Sequence, residues 1–243
     1  MSRIRFFIPL FALLLAPTFV SAQAEFAVAD DPVTLTAETQ KTITSAEVLQ
    51  GLIDGNARFV DGERINRDYL AQVQATATGQ YPSAVVLGCI DSRVPPEIVF
   101  DQGVGDIFSA RVAGNFINTD ILGSMEFATA VAGSKVIVVL GHTSCGAVKG
   151  ACDNVELGNL TQTLSNIAPA VYAVTDIEGE RTSQNAEFVQ AVADMNVELT
   201  VQNILDRSPI IRGLVESGDV LLVGAMHDVT TGQVTFHEPV TVN

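Results

Sequence analysis

Five residues with chemically active side chains fall in two short stretches of this sequence. Cys89, Asp91 and Arg93 stand in the stretch CIDSR, and His142 and Cys145 enclose two residues in the stretch HTSC. Each stretch directly follows a run of Val, Leu and Ile that is typical of a buried β-strand. Because ligands of parallel α/β sheets bind outside the carboxyl ends of the strands, the two stretches could meet at one site.

The residue types in these stretches predict a zinc site. Two thiolates and one imidazole, from Cys89, Cys145 and His142, suit a borderline-soft ion with tetrahedral coordination. Cys145 is also expected to open a helix, where the helix dipole favours the thiolate. Three protein ligands leave the fourth position to water, which is the arrangement of a catalytic zinc site rather than a structural one. The odd number of cysteines, three in all, also favours metal ligation over disulfides.

Asp91 and Arg93 fit a role beside such an ion. The carboxylate of Asp91 could take the fourth position or accept a proton from the water there. Arg93 could hold that carboxylate in a bidentate pair, which would fix its direction and keep it ionised.

Simpler interpretations exist for each residue taken alone. A single cysteine at a strand end is most often a small buried hydrophobic residue. Cys145 could also be a nucleophile with His142 as its base, but Cys89 would then have no role. Cys152 is interpreted as structural, and His227 and His237 as surface or core residues.

The elements that must position these residues alternate along the chain. The pattern predicts an α/β fold with a central, mainly parallel four-stranded sheet, a fifth strand at one edge, flanking helices and an N-terminal helical arm. Predicted strands are 83–89, 106–112, 135–141 and 219–228, with the fifth at 232–238. Predicted helices are 45–59, 120–133, 146–153, 186–205 and 209–217.

The N-terminal region has the order of a secretory signal peptide. A basic start precedes an apolar stretch and small residues, so residues 1–22 are expected to be removed near Ala22 or Ala24. Residues 23–44 are predicted to be a polar linker and residues 45–243 the folded domain. The mature protein is thus expected to be exported, to a periplasm or the medium, without a membrane span. The net charge of −15 argues against nucleic acid as a partner.

Between Leu49 and Phe236 the chain resembles the β-class carbonic anhydrases, whose hallmark is C-x-D-x-R followed by H-x-x-C. The stretches GNARF, GVGDIFSARVAGN, LGSMEFA and GAMHDVTTGQVTF add to the likeness. The resemblance implies one Zn²⁺ on Cys89, His142 and Cys145, with Asp91 and Arg93 as the catalytic dyad. It implies reversible hydration of carbon dioxide to bicarbonate and a proton by a zinc-bound hydroxide.

The resemblance also implies a substrate pocket and self-association. Gln80, Phe108 and Gly146 fall at pocket positions, and Phe127 stands where a tyrosine is common. Family members form dimers or tetramers with active sites at the dimer interface, so we expect the same here.

Some family members also have a closed state in which the aspartate is the fourth zinc ligand. Of the residues that control that state only Arg111 is matched, since Val86 replaces a tryptophan. We therefore expect Asp91 to stay off the metal.

Two alternatives to carbon dioxide hydration remain open from the sequence. The same site could hydrolyse CS2 or COS, or the chain could be a zinc-binding protein without turnover.

Overall fold

The computed structural model describes residues 34–242. The predicted signal peptide lies outside these residues, as do residues 23–33 of the predicted linker and residue 243. Within the described part, no helix combines the length and the apolar composition that crossing a membrane requires.

One five-stranded sheet forms the centre of the fold, with the strand order β2-β1-β3-β4-β5. The first four strands are parallel and β5 runs antiparallel to β4, which confirms the predicted fold class. Every residue of β1 and β3 is buried, because helices cover both faces of a parallel sheet. The strands are β1 (Ala84–Gly88), β2 (Ile107–Arg111), β3 (Val136–His142), β4 (Leu221–His227) and β5 (Val234–Phe236).

The helices follow the strands in the order expected of parallel crossover connections. Their ends carry the usual caps: Thr44 and Glu47 form a capping box at the start of α2, and Gly62 ends that helix in a left-handed conformation. The helices are α1 (Ala37–Thr42), α2 (Ser45–Asp61), α3 (Tyr69–Ala75), α4 (Pro96–Val99), α5 (Thr119–Glu126), α6 (Gly146–Cys152), α7 (Gly158–Leu164), α8 (Ala168–Ala173), α9 (Ala186–Arg207) and α10 (Pro209–Glu216).

Alternate residues of the strands point into two apolar layers. Val85 and Leu87 pack in the layer that α5, α9 and α10 cover, whereas Ala84 and Val86 pack in the layer that α2 and α4 cover. A third apolar cluster surrounds Cys89 and the start of α6. The carboxyl ends of β1 and β3 therefore emerge from a fully packed core.

The short helices α3, α4, α7 and α8 were not predicted, and two further features differ from the sequence prediction. Helix α1 lies inside the predicted linker, where its buried Gln40 donates hydrogen bonds to the carbonyls of Pro82 (3.0 Å) and Ala132 (2.8 Å). A six-residue helix without an apolar stripe gives little periodic signal. The helix predicted over 120–133 is an α-helix only to Glu126 and continues as a π-helix over Phe127–Val131.

Candidate metal centre

The two motif stretches meet because their strands are neighbours. Gly88 pairs with Leu140 in the parallel register of β1 and β3, so Cys89 leaves the sheet beside the end of β3. His142 is the last residue of β3, and Cys145 caps the N-terminus of α6. The ligand atoms of these three residues all lie within 4.8 Å of one another, and all three residues are buried.

A tight turn brings Cys145 back towards the sheet. Ser144 adopts a left-handed conformation with φ of 55°, which reverses the chain between β3 and α6. On the other side, the backbone N–H of Gly114 donates to Cys89 Sγ at 3.3 Å. Cys89 is thus fixed by the loop after β2, and Cys145 by the first turn of α6.

The atoms that face one another fit a zinc ion. His142 Nδ1 lies 3.0 Å from the carbonyl oxygen of Thr143 and must donate to it, so Nε2 keeps its lone pair. His142 Nε2 is buried without a hydrogen-bond partner among residues 34–242, a costly state for a polar atom unless a metal binds there. The hydrogen bond from the Cys145 thiol outweighs the effect of burial and, with the backbone N–H of Gly114, lowers the pKa of Cys89 and so favours its thiolate. Two thiolates and one imidazole are a zinc donor set.

Asp91 and Arg93 form a bidentate ion pair at the same edge of the sheet. Arg93 Nε lies 2.9 Å from Asp91 Oδ1, and Arg93 Nη2 lies 2.7 Å from Asp91 Oδ2. The backbone N–H of Arg93 also donates to Asp91 Oδ1. The hydrogen bonds from the Arg93 side chain hold the pKa of Asp91 well below its usual range. Asp91 Oδ2 lies 3.9 Å from His142 Nε2, so an ionised carboxylate borders the metal centre.

Arg111 has a position that the sequence did not predict. Its guanidinium donates to the backbone carbonyls of Cys89 (2.8 Å) and Asp91 (2.7 Å), and so clamps the loop that carries both residues. The resemblance had assigned Arg111 only to the residues that control the closed state. No pattern of residue types indicates this role of Arg111, because every residue has a backbone carbonyl.

His227 is a second residue that the sequence did not single out for this region. Its Cα pairs with that of His142 across β3 and β4. Its side chain is buried, and neither ring nitrogen has a hydrogen-bond partner in the described part of the chain. Burial, and then the neighbouring His142, lowers the pKa of His227 to about 4, so its ring is neutral at pH 7. Cys152, predicted to be structural, lies outside the metal cluster, and burial raises its pKa to about 11.

The residues expected to form the substrate pocket are not together in one chain. Phe108 pairs with Val85 near the start of β1, about 13 Å along the strand from Cys89 at 3.3 Å per residue. It meets Phe127 edge to face, with ring centroids 6.1 Å apart, in an open pocket of about 580 Å³ that contains no zinc-ligand residue. Gln80 is exposed before β1, whereas Gly146 borders the metal centre as the first residue of α6.

A parallel α/β sheet with a cysteine–histidine–cysteine centre at its carboxyl edge, beside an aspartate held by arginine, defines a zinc metalloenzyme. Residues 84–234 match the family model described as carbonic anhydrase, and the chain therefore belongs to the carbonic anhydrase family.

Relatives of known name agree with this assignment. The chain is 36% identical over 197 residues to carbonic anhydrase 2 of Mycobacterium tuberculosis, covering 78% of this chain and 91% of that protein. It is 37% identical over 191 residues to a carbonic anhydrase of Mycolicibacterium smegmatis, covering 76% and 89%.

A solved structure places the fold in the β-class. A tetrameric β-carbonic anhydrase of Sordaria macrospora superposes with a TM-score of 0.58 at 28% identity, covering 68% of this chain and 85% of that one. The predicted family, fold class and enzyme class are confirmed.

Proposed function

We propose that this chain catalyses the reversible hydration of carbon dioxide to bicarbonate and a proton, with Asp91 and Arg93 as its catalytic pair. The observation that carries the proposal is the juxtaposition of Asp91 Oδ2 with the unpartnered Nε2 of His142, 3.9 Å apart. A purely structural zinc site would gain nothing from an ionised carboxylate at that place. Cys89, His142 and Cys145 would hold the metal.

The zinc, when bound, supplies Lewis acidity that makes water a nucleophile near neutral pH. The protein orients the hydrogen-bond acceptor for the reacting hydroxyl. Asp91 Oδ1 accepts two hydrogen bonds from Arg93, whereas Oδ2 accepts one and keeps a lone pair free for a hydroxyl in the site. Because Arg93 lowers the pKa of Asp91, the carboxylate stays an acceptor and does not retain a proton. Arg111 keeps the loop in place by binding the carbonyls of Cys89 and Asp91.

A second copy of the chain completes the substrate pocket in this proposal. Gln80, Phe108 and Phe127 lie away from the metal centre of their own chain, and Phe127 is 51% exposed. An exposed aromatic residue beside an open apolar pocket is typical of an association surface. The structural neighbour from Sordaria macrospora is described as tetrameric, which supports self-association. These three residues would then face the metal centre of the partner.

Mixed dimers test this shared site. Asp91→Ala and Phe108→Ala should each inactivate the homodimer, because every site then lacks one component. Co-expression should restore about a quarter of the wild-type activity, because half of the dimers are mixed and each of these has one intact site. Mixed dimers without activity would show that Phe108 acts within its own chain, and an active Phe108→Ala homodimer would show that Phe108 has no role.

We also propose that the protein is exported with residues 1–22 removed. The order of basic, apolar and small residues supports this proposal. N-terminal sequencing of the protein from an extracellular or periplasmic fraction should begin near Gln23 or Glu25. An intact Met1 in purified protein would contradict export by this route.

The activity itself is tested by measuring zinc content and carbon dioxide hydration together. Wild-type protein should contain about one zinc per chain and hydrate carbon dioxide, whereas Asp91→Ala should keep the zinc and lose most of the activity. Full zinc occupancy in an inactive wild-type protein would overturn the proposed function. Assays with COS and CS2 would then decide whether the site serves another substrate.

A further inference from the structure

A second cavity lies beside α9. It has a volume of about 220 Å³ and is bounded by the loop after β2, the connection between α7 and α8, and the C-terminal half of α9. Its polar lining consists of Ser165, Asn166, Asn196, Thr200, Asn203 and Arg207. None of these residues takes part in the metal centre.

Two buried side chains in this cavity have unused hydrogen-bonding capacity. Thr200 is 3% exposed, and its hydroxyl has no hydrogen bond to any residue in the described part of the chain. Asn196 is also 3% exposed, and its Nδ2 donates to the carbonyl of Gly114 at 2.8 Å. That bond fixes the amide, and Oδ1 of Asn196 has no donor among the described residues. Both oxygens are accessible from the cavity, so a polar occupant can form hydrogen bonds with them.

The rim of the cavity adds a positive charge that is not neutralised. Arg207 forms no ion pair with any described carboxylate, and the adjacent Asp206 is bound to Arg212 Nη2 at 3.0 Å. Asn203, one turn earlier on α9, makes no side-chain hydrogen bond within residues 34–242. An arginine in the last turn of a helix is favoured by the helix dipole, but that effect does not account for the unpaired Thr200 buried below it.

We propose that this cavity binds a small oxyanion that also carries a hydroxyl group, such as hydrogen phosphate or bicarbonate. Arg207 and the Asn203 amide would donate to the charged oxygens, and charge-assisted bonds of this kind are the strong ones. Oδ1 of Asn196 can only accept, so the occupant must itself donate, which selects an anion with a hydroxyl. Thr200 can donate or accept. A cavity of 220 Å³ holds such an anion with a few waters, each of about 30 Å³.

The proposal is tested on the zinc-loaded full-length chain by titration with hydrogen phosphate, bicarbonate and sulfate. In ¹⁵N-labelled protein the side-chain amide signal of Asn203 reports on this cavity alone, whereas that of Asn196 also responds to the metal centre, because Asn196 bonds Gly114 and Gly114 donates to Cys89. Both signals should shift saturably with at least one hydroxylated anion. Sulfate, which has no hydroxyl at pH 7.5, should bind several-fold more weakly. The two hydroxylated probes distinguish an inorganic phosphate site from a bicarbonate site.

Two variants and one control make the outcome decisive. Arg207→Gln should weaken binding about tenfold, because it removes a charge-assisted bond. Thr200→Val keeps the side-chain shape and should weaken binding several-fold. Arg64→Gln removes an equally exposed charge elsewhere and should change the affinity less than twofold. The proposal is overturned if neither hydroxylated anion shifts the two amide signals, or if Arg64→Gln weakens binding as much as Arg207→Gln.

Discussion

Two aspartate–arginine clusters, at Asp91 and at Asp101, contain the aspartates that precede and follow the short helix α4 along the chain. Asp101 accepts hydrogen bonds from Arg58, Arg67 and the backbone N–H of Ile65, and its side chain is 2% exposed. Asp91 is held by Arg93 alone, and these two side chains are 16% and 49% exposed. Both carboxylates are kept ionised by arginine, yet their surroundings differ.

The difference lies in the burial of each carboxylate and in what stands beside it. Both carboxylates accept three hydrogen bonds, two on one oxygen and one on the other. The donors to the buried Asp101 come from α2 and from the loop that follows it, so the cluster joins these segments to the end of α4, although Arg67 Nε has no partner among the described residues. Asp91 is more exposed, and its Oδ2 lies 3.9 Å from His142 Nε2, which has no hydrogen-bond partner among the described residues. A buried carboxylate enclosed by arginines stabilises the fold, whereas a more accessible one beside an unpartnered imidazole nitrogen can take part in binding and reaction.

Loss of a zinc ligand is the largest change expected in either region. Cys145→Ala should reduce the zinc content well below one per chain and bring carbon dioxide hydration to background, because two ligands hold zinc poorly. Metal analysis and a stopped-flow hydration assay measure both effects. Cys152→Ala is the matched control, since it removes a buried thiol on the same helix and should leave zinc bound. Equal zinc loss in both variants would mean that the cluster of Cys89, His142 and Cys145 is not the zinc site.

Asp91→Asn removes the negative charge of the Asp91 carboxylate with little change in the shape of the side chain. We expect kcat/KM for carbon dioxide hydration to fall by about 10²–10⁴-fold, the usual range for a positioned proton acceptor. Zinc content should not change. The free energy of unfolding should fall by less than about 1 kcal/mol, because the Arg93 side chain is 49% exposed and solvent screens the ion pair. A variant with wild-type kcat/KM would remove Asp91 from the mechanism.

Asp101→Asn makes the same substitution in the buried cluster at Asp101 and should have the opposite profile. Urea unfolding should show a loss of about 3–5 kcal/mol, because the change leaves Arg67 buried without its counter-charge. Activity per folded, zinc-loaded chain should stay within twofold of wild type. If Asp101→Asn lowered kcat/KM as strongly as Asp91→Asn, the division between a structural and a reactive cluster would fail.

The metal centre and the Asp91–Arg93 pair could be predicted from sequence, because their residues lie in two short local motifs. Cys89, Asp91 and Arg93 lie within five residues, His142 and Cys145 within four, and the apolar strands before them fix where they meet. The order of strands and the long helices followed from the same alternation of apolar runs. The metal-binding residues could be predicted from residue types and spacing alone.

The cluster at Asp101 could not be predicted in this way. Arg58, Arg67 and Asp101 are far apart in sequence, and Asp101 reaches them from a left-handed conformation with φ of 48°. Arg111 binds backbone carbonyls, and the cavity along α9 depends on how a loop and two helices pack. Such contacts arise from tertiary packing, so no local periodicity signals them. Helix α1 was missed for a related reason, since Gln40 anchors it by bonds to distant carbonyls.

Measuring the free energy of unfolding as a function of pH isolates the contribution of the Asp101 charge. Burial opposes that charge, but the hydrogen bonds from Arg58 and Arg67 outweigh it and lower the pKa of Asp101. A carboxyl with a lowered pKa in the folded state stabilises the fold above its unfolded pKa of about 3.9 and loses this effect as the pH falls through its folded pKa. The difference in unfolding free energy between wild type and Asp101→Asn should therefore be constant from pH 7 to about pH 5 and shrink below about pH 4. Zinc release in acid affects both proteins alike and cancels in the difference. A difference that stayed constant down to pH 3 would show that the cluster acts through its shape and not through its charge.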